Sequence, residues 1–280
     1  MEERELRRGF ADTPEGPIHY AEAGSGPPVL CLHQTPRSWD EFRDVIPRLG
    51  RRFRALAMDT VGYGDSYRPA EPASIEGYAR AVVRFLDAMQ IGRTSLVGHH
   101  TGGVIALEVA AVHPERVERL VLSSCPYVDA AERARRKGRP LVDDVPFRPD
   151  GGHLPELWAG RRPYYPPDRA DLARRFVLDA LKAGERLADG HRAVSAYAME
   201  LKAGLVRAPT LVLAGSEDPF SFPGLAVLAE AVPGSRTAVL EGGMVPMVDQ
   251  MPEAFAETVL GFLAPRDGPQ DETTAVEKRD

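Results

Sequence analysis

Six short apolar runs, separated by longer stretches with helical spacing, constrain this chain more than any other feature. The runs are Pro28–His33, Phe53–Asp59, Arg93–Gly98, Val117–Ser123, Pro209–Ala214 and Arg236–Glu241. Each is aliphatic and bounded by turn-forming residues, so each reads as a buried strand. Amphipathic stretches lie between them at 39–49, 74–91, 101–113, 223–232 and 252–264; on the last, Phe255, Val259 and Phe262 recur at helical spacing. Strands alternating with helices require right-handed crossovers and a mostly parallel sheet covered on both faces. The fold class is α/β.

The alternation stops between 126 and 207. Seven prolines follow Pro126 there, and no strand pattern appears. Helical pieces are expected around 128–138, 168–188 and 190–203. The segment reads as a helical cap inserted over the carboxyl edge of the sheet, where open α/β folds bind ligands. The domain expectation is therefore a core of 1–125 plus 208–264 with a cap at 126–207. Phe147, Trp158, Tyr164 and Tyr165 either line a pocket beneath the cap or pack it to the core. Between 127 and 206 there are 15 Lys/Arg and 12 Asp/Glu, so the insert is basic in a chain of net charge −6. That asymmetry suits an anionic substrate or simply a solvated basic face. Residues 265–280 are polar and aperiodic and read as a loose tail.

Composition narrows the function classes. With 280 residues, 43% hydrophobic, the chain can bury a sizeable core. A mildly acidic balance argues against nucleic acid as the main partner. Two cysteines, Cys31 and Cys125, are too few for a disulfide scaffold or a cysteine-rich zinc site. The first eight residues hold no apolar segment, so no secretory signal is expected, and no run is long enough to span a membrane. A cytoplasmic protein acting on a small molecule, with no membrane partner and with a homodimer left open, is the expectation. No phosphate-binding glycine loop and no flavin or nicotinamide fingerprint is present, so no cofactor is expected and no metal site is assigned.

Six motifs at strand ends carry a family resemblance. They are Leu32-His33…Pro36, the run from Asp59 to Ser66 with Gly62 and Gly64, Gly98-His99-His100-Thr101-Gly102, His113-Pro-Glu-Arg-Val117, Gly215-Ser-Glu-Asp218, and Gly242-Gly243…Pro246. In this order they resemble the α/β-hydrolase superfamily over about 17–264. The resemblance implies an eight-stranded sheet and a strand-to-helix elbow that holds a serine nucleophile. It also implies an activating histidine after the eighth strand and a carboxylate after the seventh. Here the elbow position is His100, Met244 stands where the histidine is expected, and Asp218 keeps the acid position. The resemblance further implies that Thr35 and Thr101 supply the oxyanion amides, with Gln34 beside them. Trp39 and Met244 are added to the substrate-binding set.

From these residues the expected site is a general acid/base pair. His100 is aimed into the pocket by the elbow and held by Asp218, which suits proton transfer near neutral pH. The expected function is cofactor-independent, non-hydrolytic chemistry of lyase, isomerase or cyclase type on a hydrophobic small molecule, as in natural-product biosynthesis. Two alternatives stand beside it: a hydrolase of esters, lactones or epoxides with water activated by His100–Asp218, and a ligand-binding protein without turnover. His19, His33, His99 and His113 match framework positions. His153 and His191, in the insert, are candidates to enter the pocket from above, and Cys125 is an alternative nucleophile only if its thiolate is stabilised. Asp249 is read as capping the last helix, and Met247 and Met251 as apolar wall or core.

Overall fold

The computed structural model describes residues 5–141 and 143–264; the tail expected at 265–280 lies outside the described residues. The strands are β1 (Arg7–Thr13), β2 (Gly16–Ala23), β3 (Pro28–Leu32), β4 (Arg54–Met58), β5 (Thr94–His99), β6 (Val117–Ser123), β7 (Thr210–Gly215) and β8 (Arg236–Leu240). They form one sheet in the order β1-β2-β4-β3-β5-β6-β7-β8. The pairs β1·β2 and β2·β4 are antiparallel, and every other pair is parallel. The six apolar runs are β3 to β8. The β1–β2 hairpin was not among those runs, because its strands carry polar residues such as Asp12, His19 and Glu22.

The helices are α1 (Ile46–Leu49), α2 (Ile75–Ala88), α3 (Thr101–Val112), α4 (Ala130–Arg136), α5 (His153–Arg161), α6 (Ala170–Ala183), α7 (Asp189–Ala196), α8 (Leu225–Ala231), α9 (Met247–Gln250) and α10 (Pro252–Leu263). Strand alternation sends Leu30, Leu32, Leu96, Leu120 and Leu122 to the face covered by α2, α3 and α8. Their neighbours Val29, Cys31, Val97 and Val121 go to the face covered by α1 and α10. α3 is buried on almost every side, from Thr101 to Ala110. Its one interior charge, Glu108, accepts the Tyr197 hydroxyl at 2.6 Å. α2 starts where the Ser74 hydroxyl caps the Gly77 N–H at 3.0 Å.

Two expected helices differ. The stretch 39–49 is a 3-10 turn, Trp39–Phe42, followed by the single turn of α1. Asp59 takes the Trp39 N–H at 2.7 Å and Pro47 enters at the start of α1, so no continuous ladder runs through. In the insert, α5 was not foreseen, since Pro155 and Gly160 interrupt its helical signal. α7 stops at Ala196, because Tyr197 turns extended and sends its hydroxyl to Glu108. Between β6 and β7 the described residues form α4 to α7 and short 3-10 turns, without a strand. Leu157, Tyr165, Leu172 and Phe176 give this segment a small core of its own.

The strand order reverses between β3 and β5, since β4 lies on one side of β3 and β5 on the other. Such a switch point opens a crevice at the carboxyl ends of the strands.

Candidate active site

β5 ends at His99, and α3 begins at Thr101. The single residue between them, His100, turns the chain with φ 46° and ψ −115°, a backbone region that a side chain enters at a cost of about 1–3 kcal/mol. Two glycines make the turn sterically feasible. A Cβ on Gly98 would run into the Gly102 carbonyl, and one on Gly102 into the Leu32 carbonyl. The His100 N–H donates to the Ser123 carbonyl at 2.9 Å, and its own carbonyl takes the Gly103 N–H at 2.8 Å. Neighbouring β6 and the first turn of α3 thus hold the strained residue in place.

His100 Nε2 lies 2.8 Å from Asp218 Oδ2. The oxygen sits off the line of the ring N–H, so the contact is one of proximity more than an aligned hydrogen bond. Asp218 follows β7 and is buried. The Ser221 hydroxyl donates to its Oδ2 at 2.7 Å, and the Phe220 N–H to its Oδ1 at 3.0 Å. Burial by itself raises this carboxyl, but the His100 imidazole and these donors outweigh it and hold the group well below the usual carboxylate range. A depressed acid stabilises the fold above its unfolded pKa and loses that contribution as pH falls through the folded value. The melting temperature of Asp218→Asn should therefore converge on that of the parent as pH drops below about 4. A gap that stays constant down to acid would show that the carboxylate is not stabilised there.

Around this pair opens a cavity of about 420 Å³. Gln34, Thr35, His100, Thr101 and Val245 form its floor on the sheet side. Phe220 follows β7, and Arg139, Arg161 and His191 come from the insert. Thr35 and Thr101 meet through their hydroxyls at 2.9 Å. As the first residue of α3, Thr101 has no intrahelical acceptor for its N–H. Glu41, fully buried, binds both the backbone N–H of Gln34 (2.8 Å) and its side-chain amide (2.6 Å), which fixes that residue at the rim.

The histidines divide by their partners. His99 Nε2 faces the Val245 carbonyl at 3.0 Å and so carries the proton, while Nδ1 accepts from the Ser123 hydroxyl. Desolvation pushes its pKa down to about 4, and the ring stands edge-on to His100 at 4.7 Å. His33 takes the Thr60 N–H at 2.9 Å on Nε2 and gives Nδ1–H to the Gln34 carbonyl. His19 binds Asp59 at 2.8 Å. His191 reaches the cavity with Nε2 3.1 Å from Asp143, whereas His153 packs against Phe147 away from it.

Of the residues singled out from the sequence, Gln34, Thr35, His100 and Thr101 share the cavity wall, with Asp218 behind His100. Trp39 does not join them: it lies beside a separate surface cleft, tilted against His19. Met244 is also outside the lining, its N–H bound to Gln250 at 2.8 Å, and the next residue, Val245, faces the cavity instead. Phe147 and Trp158 are exposed, Tyr165 sits in the insert's own core, and Tyr164 packs on Phe220 at 4.7 Å. Burial pushes the Cys125 thiol far up, so no thiolate forms there and the alternative nucleophile falls away. Asp249 does not cap the last helix; it is buried against Arg37 and Arg175. Sequence reasoning missed Glu41, Arg37 and the arginines of the cavity wall. Only the last left a signal, the basic run 133–139.

The chain belongs to the alpha/beta hydrolase fold family, which matches over residues 27–243. It is 27% identical to a RutD protein of Azorhizobium caulinodans named for carbamate hydrolysis, over 90% of this chain and 97% of that one. Bifunctional epoxide hydrolase 2 of Sus scrofa is 37% identical over 114 residues, which is 40% of this chain and only 20% of that protein. Among solved structures, a hydrolase from Pseudomonas aeruginosa PA01 superposes with TM-score 0.77 at 26% identity, covering 92% of this chain and 99% of its own. Relatives with these names correct the expectation of lyase, isomerase or cyclase chemistry in natural-product biosynthesis. That expectation rested on His100 at the elbow, Met244 in place of the histidine and the proline-rich insert. The strained turn, the α3 terminus and the buried acid surround His100, in a chain whose relatives include proteins named as epoxide hydrolase and carbamate hydrolase. No helix among the described residues is long and apolar enough to cross a membrane.

Proposed function

We propose that the protein is a hydrolase in which neutral His100, oriented by Asp218, activates water directly. The observation that carries this reading is the 2.8 Å approach of His100 Nε2 to a buried carboxylate, with the ring at the cavity wall. Nε2 is committed to Asp218, which leaves Nδ1 to take a proton from a water molecule as it attacks an ester or lactone carbonyl. The resulting oxyanion is met by the N–H groups of Thr35 and Thr101. The imidazolium, stabilised by Asp218, then returns its proton to the leaving alkoxide. With no hydroxyl at residue 100 and methionine at 244, a seryl acyl-enzyme has neither nucleophile nor base. Epoxide opening by the same activated water is the second reading, favoured by the identity to epoxide hydrolase across 114 residues. The insert 126–207 serves as the cap that closes the cavity.

A panel of nitrophenyl esters, lactones and aryl epoxides, followed by acid quench and intact-protein mass measurement, tests the mechanism. Turnover is expected without an acyl or alkyl adduct on the chain, and with one oxygen from labelled water in the product. A covalent adduct that forms and decays at the catalytic rate would overturn direct water attack.

A further inference from the structure

The cavity wall changes character on the side of the insert. Glu132, Arg135, Arg136 and Arg139 come from α4 and the turn after it, and Arg161 continues the same side. Four guanidiniums thus face a space that holds a single carboxylate. Arg135 and Arg136 both bind that carboxylate, Glu132, so one of their charges is left over. Arg161 is bound through two nitrogens by Asp143. Arg139 is exposed and has no carboxylate partner among the described residues. The guanidinium keeps its charge at every accessible pH, and its planar fork matches the two oxygens of a carboxylate. The wall opposite is different in kind: Val245, Pro219, Phe220, Thr35 and Thr101 bring no formal charge.

We infer that the substrate carries a carboxylate at the end remote from the scissile bond, and that this group seats against Arg139 with Arg136 beside it. The inference rests on the hydrolytic reading for which end reacts, but the anion seat itself does not. The polarity of the cavity sets the orientation. An acyl carbon at His100 lies among uncharged groups and amide donors, while the cavity's arginine charges left without a carboxylate partner among the described residues lie on the insert. A neutral lipid-like ester leaves that charge without a partner; an ester of a dicarboxylic acid satisfies it. The basic balance of residues 127–206 in an otherwise acidic chain acts in the same direction at longer range, drawing anions toward the insert.

The test compares two nearly isosteric esters, 4-nitrophenyl hydrogen glutarate and 4-nitrophenyl pentanoate, on the full chain and on Arg139→Gln. The ratio of their kcat/KM values should favour glutarate in the parent and fall about tenfold in the variant, mainly through KM. Equal loss on both esters, or none on either, overturns the proposal. Calorimetric titration with glutarate separates the two readings. Binding that survives His100→Ala and weakens about tenfold in Arg139→Gln supports the seat even if neither ester is turned over, an outcome that counts against water activation alone. Glutarate binding that is absent or indifferent to Arg139→Gln removes the seat whatever the turnover.

Discussion

His100→Ala is expected to reduce ester turnover by about 10²–10⁴-fold, the usual contribution of a positioned acid/base group, with an unchanged fold. Among the described residues the ring is the one ionisable group that joins the buried Asp218 to the cavity, and neither neighbouring imidazole is placed to replace it. His99 is locked between Ser123 and Val245 and stays neutral, and His191 is engaged by Asp143. His100→Gly should be equally inactive yet more stable than His100→Ala by about 1 kcal/mol. Both variants lack the imidazole, but only glycine relieves the left-handed backbone at φ 46°. Parallel measurement of rates and melting temperatures decides this. Full activity in His100→Ala would end the mechanistic proposal, and equal stability of the two variants would show that the turn stores no strain.

Arg37→Met is expected to destabilise the fold by about 3–5 kcal/mol, the cost of removing one partner from a buried ion pair. Arg37 is wholly buried. Its Nε donates to Asp179 at 2.7 Å, its Nη1 reaches Asp249, and Glu41 lies 3.8 Å away. Without the guanidinium, Asp179 and the buried Glu41 lose their arginine partner and Asp249 keeps only Arg175. For a domain of this size the midpoint should fall by roughly 10 °C. Arg37→Lys should recover only part of the loss, because one ammonium cannot reach Asp179 and Asp249 as the planar fork does. Removing Asp249 as well, by Asp249→Leu in the Arg37→Met background, should restore stability relative to the single variant. Denaturant midpoints of the three variants test it; a loss in Arg37→Met below about 1 kcal/mol would mean the network is solvated and weak.

The parallel sheet was readable because β3 to β7 are buried on both faces, so their sequences are nearly unbroken aliphatic runs. The elbow was readable because a turn that tight admits only small residues at 98 and 102. The nearness of His100 and Asp218 follows from the same logic, since both leave the carboxyl ends of strands in one sheet. Local pattern could not report what distant segments impose. α5 forms despite Pro155 and Gly160 because Leu157 packs against Leu172 and Phe176 of α6. Trp39 is drawn from the cavity by the bond from its N–H to Asp59, twenty residues on. At 244–245 a one-residue phase decides which side chain faces the cavity, and spacing from the preceding glycines does not fix it. Arg37 has partners 142 and 212 residues away, and no motif announces them.

The loop after β3 is moored to the insert at several points. Arg37 and Ser38 both bind Asp179 of α6, and Arg175, one turn earlier on that helix, grips Asp40 and Asp249. Thr35 lies two residues before Arg37, and Gly190 of α7 sits so close to the Thr35 hydroxyl that no larger residue fits. An outward swing of the insert would therefore pull on the Thr35 peptide. If that peptide meets the oxyanion as proposed, admission of a guest and assembly of the cradle are mechanically coupled.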